Sequence, residues 1–155
     1  MRKWRQMRKI DEIVIHCSAT RARADIGARE IRQWHVQGRG WRDIGYHFVI
    51  RRGGLIEAGR PIDQAGSHVA GRNAGSIGLC LAGGLDDNLK PAANFTPEQW
   101  AALKDKLIEL SAAFPEARIL GHRDFPGVAK ACPCFDVRAW LAKEGLEEPN
   151  AQGHI

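Results

Sequence analysis

The sequence has no run of about 18 apolar residues, so no segment reads as a membrane-spanning helix. Its start, Met1-Arg2-Lys3-Trp4-Arg5-Gln6-Met7-Arg8-Lys9, is basic but lacks the apolar stretch of a secretory signal. The expectation is a protein made and kept in the cytoplasm until something else releases it. No internal repeat occurs, which excludes solenoid and propeller architectures. Tyrosine is nearly absent: Tyr46 stands alone, so the contribution of one phenol can be tested without interference from another. Cysteine is sparse, at 17, 80, 132 and 134, with no even-spaced framework. A disulfide-built secreted domain is therefore not expected.

What is present describes one ordinary globular domain. A chain of 155 residues favours a single unit, and one of about this size buries roughly two-thirds of its surface. Hydrophobic residues are 44% and charged residues 26%, a balance that argues against disorder. The net charge of +5 suits a polyanionic partner such as nucleic acid, anionic lipid or wall polymer, and equally suits solubility alone. Arg2, Lys3, Arg5, Arg8 and Lys9 concentrate that charge in a basic arm over residues 1–9. Such arms are more often mobile tails than binding elements. A domain over 10–146 follows, then a loose tail over 147–155.

Hydrophobic patterning gives the elements. Glu12 to His16 reads as a central strand, apolar on both faces. Residues 18–26 read as a loop, and a helix is expected from Ala28 to Gln37, with Ile31 and Trp34 on its buried side and Gly38 as its stop. His47 to Arg51, Gly53-Gly54 and Leu55 to Ala58 form a hairpin signal. Residues 59–75 are an ordered loop around His68, and Ile77 to Ala82 is another core strand. Thr96-Pro97-Glu98-Gln99 is a helix start with a capping box, followed by Trp100, Leu103, Leu107, Leu110 and Phe114 at helical spacing. Pro115 ends that helix, and residues 118–121 form a short strand that delivers His122 to its end. Asp136 caps a last helix over 137–144, burying Val137, Trp140 and Leu141, and Gly145 stops it. The order gives an α/β fold, a central mixed sheet flanked by helices.

The chemistry gathers in Gly121-His122-Arg123-Asp124 and Lys130-Ala131-Cys132-Pro133. An imidazole and a thiolate are good zinc ligands, and His16, at the end of the first strand, is the best candidate for a third. Two His and one Cys leave a fourth tetrahedral position for water, as in catalytic zinc sites. Lys130, two residues before Cys132, would share its side of an extended backbone and could stabilise negative charge on a carbonyl oxygen. Cys17 and Cys80 lie in apolar runs and read as buried free thiols. Cys134 could compete for the metal, oxidise or pack. His47 reads as either a support behind the site or a buried residue and is kept among the substrate-binding candidates, and His35 reads as structural. Arg72 and Asn73 are candidate substrate contacts. Asp124 would hold the loop or the free ring nitrogen of His122.

Taken in order, Ile15-His16-Cys17-Ser18-Ala19-Thr20, Gly45-Tyr46-His47-Phe48, Gly66-Ser67-His68, Ser76-Ile77-Gly78, Gly121-His122-Arg123-Asp124 and Lys130-Ala131-Cys132-Pro133 resemble the zinc-dependent N-acetylmuramoyl-L-alanine amidases that share a fold with peptidoglycan recognition proteins. The resemblance covers roughly residues 10–144 and is strongest to the short bacteriophage amidase lysozymes. It implies one Zn²⁺ per chain held by His16, His122 and Cys132, with Tyr46 and Lys130 catalytic. A phenol, with an ordinary pKa near 10, would orient the metal's water or relay its proton rather than act as a strong base. His68 fits a groove position that binds the muramoyl-peptide or assists proton transfer. The implied substrate is bacterial peptidoglycan, cut by a monomeric endolysin after the inner membrane is breached. Neither membrane insertion nor direct nucleic-acid binding is expected. A second role, binding and restraining phage RNA polymerase, is implied by the same resemblance. The alternative is a non-catalytic peptidoglycan-binding module, against which the metal cysteine argues. One position departs from the pattern: many family members carry Gly where Cys134 follows Pro133.

Overall fold

The computed structural model describes residues 8–146. The expected basic arm, apart from Arg8 and Lys9, and the expected tail lie outside the described residues. Among the described residues there are seven strands: β1 (Glu12–Cys17), β2 (Thr20–Arg21), β3 (Phe48–Ile50), β4 (Ile56–Ala58), β5 (Ser76–Leu81), β6 (Gly84–Leu85) and β7 (Arg118–Gly121). Three α-helices accompany them: α1 (Ala28–Gln33), α2 (Pro97–Ala113) and α3 (Val137–Lys143). The main sheet runs β4-β3-β5-β1-β7. Only the β3–β4 hairpin is antiparallel; β3–β5, β5–β1 and β1–β7 are parallel. This is the mixed sheet that the pattern predicts. A second, two-residue pairing of β2 with β6 falls in stretches that read as loop and turn, because two residues carry no periodicity.

β1 is central, and all six of its residues are buried. Successive side chains of a strand point to opposite faces, which divides the molecule. Ile13, Ile15 and Cys17 pack with Ile77, Leu79, Leu81 and the buried stripe Leu103, Leu107 and Leu110 of α2. Each fully buried leucine contributes about 1.5–3 kcal/mol. Val14 belongs to a separate cluster with Val69, Leu120 and Phe125. One face of β1 is therefore core, and the other carries His16.

The cap of α2 forms as its sequence requires. Thr96 Oγ1 accepts from the Gln99 amide at 3.0 Å, and Gln99 Oε1 accepts from the Thr96 amide at 3.0 Å. Gln99 is fully buried because its amide Nε2 also donates to Ile50 O and Ala82 O, tying the helix start to the ends of β3 and β5. α3 starts at Asp136, whose Oδ1 accepts from the Ala139 amide, and Trp140 packs against Trp100.

The first helix differs from expectation. Regular α-helix stops at Gln33, and a π-helical turn covers Trp34–Gly38. A π turn holds an extra residue, so the inward phase set by Ile31 is lost. Ile31 is buried, but Trp34 is 45% exposed and does not belong to the core. His35 turns in instead. Its Nδ1 accepts from the Gly45 amide at 2.9 Å, and its ring lies 4.7 Å from Trp41 and 5.6 Å from Tyr46.

Candidate metal centre and its surroundings

Parallel pairing brings the candidate ligands together. Ile15 lies opposite Gly121 in the β1–β7 register, so His16 and His122 emerge side by side at the same end of the sheet. Their ring centroids are 4.7 Å apart. His122 opens a 3₁₀ turn, His122–Asp124. Asp124 Oδ2 accepts from the Gly121 amide at 2.8 Å, so of its two expected tasks it performs the first, fixing the loop. The Arg123 amide donates to Cys132 O at 2.9 Å and joins the turn to the loop that carries the third ligand. Cys132 Sγ in turn accepts from the Cys17 amide at 3.2 Å.

One donor atom from each of His16, His122 and Cys132 lies within 4.8 Å of the other two. Metal bonds of about 2.0–2.3 Å place tetrahedral donors roughly 3.3–3.8 Å apart, a separation that lies inside this span. Electrostatics favour this. Burial, then His68, His122 and Lys130, holds the pKa of His16 well below its ordinary value. Burial and Lys130 lower that of His122. Both imidazoles are neutral at pH 7, as metal ligands must be.

His68 sits behind this set. Its Nδ1 is 2.8 Å from His16 Nε2, and its Nε2 is 3.2 Å from Ser76 Oγ. Burial first, then neighbouring histidines and arginines, takes its pKa down to about 3, so the ring is neutral. These contacts accommodate a chain in which His16 Nε2–H donates to His68 Nδ1 and His68 Nε2–H donates to Ser76 Oγ, the tautomers that suit a metal on His16 Nδ1. His16 Nδ1 is then the nitrogen left for an ion. A ligand histidine that donates through its other nitrogen is oriented and made more basic. Gly78 makes room for this: a Cβ there would stand 2.8 Å from the His68 ring. Ser76 and Gly78 drew no role from the sequence, although they belong to one of the motifs that carried the resemblance.

Tyr46 lies against the centre, its ring 5.0 Å from His16 and 6.5 Å from His68. Burial, followed by the Cys80, Cys132 and Cys17 sulfurs, raises its pKa well above 10. The phenol keeps its proton and acts as a hydrogen-bond group. Lys130 is exposed on the loop, close enough for its charge to oppose protonation of both ligand histidines.

The remaining candidates are bound into the scaffold. His47 is 1% exposed; its Nδ1 accepts from the Gly78 amide at 3.0 Å, so Nε2 carries the proton and donates to Gln64 O at 2.8 Å. With Nδ1 and Nε2 both on backbone groups, and Arg8 Nη2 3.0 Å from Nε2, the ring supports the loop. Asn73 Oδ1 accepts from the His68 and Val69 amides, both at 2.9 Å, and holds the His68 loop. Arg72 pairs with buried Glu12 and lies over Phe125, at the edge of a groove of about 530 Å³ that starts at His122. Arg118 and Arg138 also line that groove, with Leu120, Phe125 and Val128. Arg8, assigned to the arm, donates to Ile62 O at 3.2 Å and Ser76 O at 2.8 Å, bracing the same loop. Among the described residues no helix is long and apolar enough to cross a membrane.

A neutral two-histidine, one-cysteine set with an open side, a buried phenol and a lysine is the equipment of a metal-dependent hydrolase. The chain belongs to the N-acetylmuramoyl-L-alanine amidase family, whose model matches residues 6–135. It is 52% identical over 130 residues to the endolysin of Enterobacteria phage K11, covering 84% of each chain. It is 46% identical over 144 residues to the endolysin of Escherichia phage T7, covering 93% of each. Among solved structures it is similar to the N-acetylmuramoyl-L-alanine amidase LysC from Clostridium intestinale, with a TM-score of 0.75 and 28% identity, covering 90% of this chain and 87% of that one.

Proposed function

We propose that the protein is an endolysin that hydrolyses the amide between N-acetylmuramic acid and L-alanine in peptidoglycan, using one zinc ion held by His16, His122 and Cys132. The observation that carries the reading is the mutual approach of those three donors within 4.8 Å, with both histidines kept neutral. Their chemistry suits zinc: borderline-soft, four-coordinate, with nitrogen and sulfur ligands. Bound zinc would lower the pKa of its water to about 7 and polarise the scissile carbonyl.

The chain's own residues supply the rest. Lys130 presents an ammonium where negative charge builds on the carbonyl oxygen. Tyr46, protonated throughout, donates to the attacking water or the same oxygen and steers the water's remaining proton. His68 orients His16 and takes no proton itself, since its pKa of about 3 lies far below working pH. Arg72, Arg118 and Arg138 along the groove suit an acidic peptide, and the apolar floor suits its alanine methyl. In this reading Arg72 contacts substrate from its pairing with Glu12, while Asn73 and His47 act through the loop they hold.

The test is digestion of purified murein followed by labelling of new amino termini. N-terminal alanine, absent after chelation and restored by added zinc, is the expected result. Bound murein with no new alanine terminus would instead identify a recognition module.

A further inference from the structure

The Cys134 thiol has no task in the chemistry above. We propose that Cys17 and Cys134 form a disulfide when the protein meets an oxidising compartment, stapling the loop that bears Lys130 and Cys132 to the end of β1. Its consequence for catalysis rests on the proposed site; the bond itself does not.

The geometry is already close. The two Sγ atoms are 3.8 Å apart across 117 residues of sequence. They must close to about 2.05 Å, which asks for modest rotation of two short side chains. Nothing stands between them. Both sulfurs lie under Gly84, where a Cβ would be 2.7 Å from Cys17 Sγ and 3.6 Å from Cys134 Sγ. Gly84 has φ +100°, a conformation that keeps the position open for glycine.

The backbone at Cys134 is held in place. It has φ +75°, a left-handed conformation rare for a residue with a side chain. The turn nonetheless forms, with the Cys134 amide donating to Ala131 O. The glycine-favouring geometry of this position is thus retained, and the cost of a side chain there aims a thiol at Cys17. Of the other thiols, Cys80 is buried on β5, and Cys132 also lies against Cys17, at its amide and its carbonyl; it competes for Cys17 unless an ion holds its sulfur with the histidine pair.

The oxidant is a low-molecular-weight disulfide of the oxidised glutathione class. Half-exposed Cys134 attacks one of its sulfurs and gives up its proton; the oxidant's S–S bond breaks and one thiol leaves. Cys17 then attacks the Cys134 sulfur, and the second thiol leaves. The two protein thiols lose two electrons and two protons, and the oxidant takes up both pairs. Thiols stay reduced in the cytosol and disulfides persist outside it, so the bond would form on release.

Zinc-loaded protein is incubated with oxidised glutathione, then denatured with a chelator present, alkylated, and analysed by intact mass and peptide mapping. The expected product is lighter by two hydrogens before alkylation, has two alkylated thiols, and contains a 17–134 cross-linked peptide. Its Tm rises by about 4 °C or more and falls back with dithiothreitol. Cys134→Ser and Cys134→Ala abolish the cross-link and the Tm rise but still clear murein under reducing conditions. Four alkylated thiols, a stable glutathione adduct on Cys134, a cross-link through Cys132, or an unchanged Tm would overturn the proposal. A protein that cross-links as described but clears no murein would leave the disulfide standing and refute the amidase reading.

Discussion

Gly78→Ala is a small change on a central strand, and the structure gives it a large and specific effect. The added methyl would stand 2.8 Å from His68 Cγ and 2.9 Å from both Cδ2 and Nδ1. Carbon atoms sit comfortably at about 3.5 Å or more, so the ring must retreat by roughly 0.7 Å or rotate. Nδ1 is the atom that bonds His16, and that bond is only 2.8 Å long. Overpacking costs roughly 1–3 kcal/mol and the weakened hydrogen bond about 1 more. Loss of the support behind His16 should weaken zinc binding about 10- to 100-fold. Competition against a chromogenic chelator measures the second effect, and thermal unfolding of the metal-free protein the first. The two residues act as a pair, so the same substitution in a His68→Ala background, where the ring is gone, should cost zinc affinity little. If Gly78→Ala leaves zinc affinity within about twofold of wild type, or costs the same in both backgrounds, His68 does not support His16 and the reasoning fails.

Lys130→Met should lower the turnover of murein about 10²- to 10³-fold while the protein keeps its zinc; loss of metal along with activity would move Lys130 from catalysis to ligand support. Tyr46→Phe should behave likewise, with at least about 10²-fold lower turnover and unchanged zinc content, and full activity would reduce Tyr46 to packing. Buried His47 has its pKa lowered to about 4, chiefly by burial. Between about pH 6.5 and 4 the unfolded chain binds a proton there that the folded chain does not, so this group's contribution falls as pH falls, by roughly 3 kcal/mol across the window. Urea unfolding of metal-free protein across that range should show the slope, and His47→Asn, although less stable at pH 7.5, should flatten it; an unchanged slope contradicts the assignment.

The sheet was readable from the sequence because its central strands are long apolar runs and α2 carries a cap, a proline and a heptad-like leucine stripe. The π turn at Trp34 was not, since a helical pattern gives no sign of an extra residue until something else, here His35 against Gly45 and Tyr46, claims the inward position. The metal set was readable as residue types at three places, with the parallel β1–β7 register supplying the convergence. The support behind it was hidden. His68 and Asn73 look like substrate contacts when known only as polar residues in a glycine-rich loop; their partners, His16, Ser76 and two loop amides, are revealed by folding alone. Gly78 is silent in sequence because its role is the absence of a methyl. Cys134 could be seen to occupy a position that favours glycine, but its neighbour across 117 residues could not.

The identity of the atoms around the ion tests the central claim most directly. X-ray absorption at the zinc edge of the purified protein should show one sulfur at about 2.3 Å and two imidazole nitrogens at about 2.0–2.1 Å, with an oxygen completing four-coordination, and the sulfur should vanish in Cys132→Ser. A shell with two sulfurs, or one of nitrogen and oxygen alone in the wild-type protein, would contradict it.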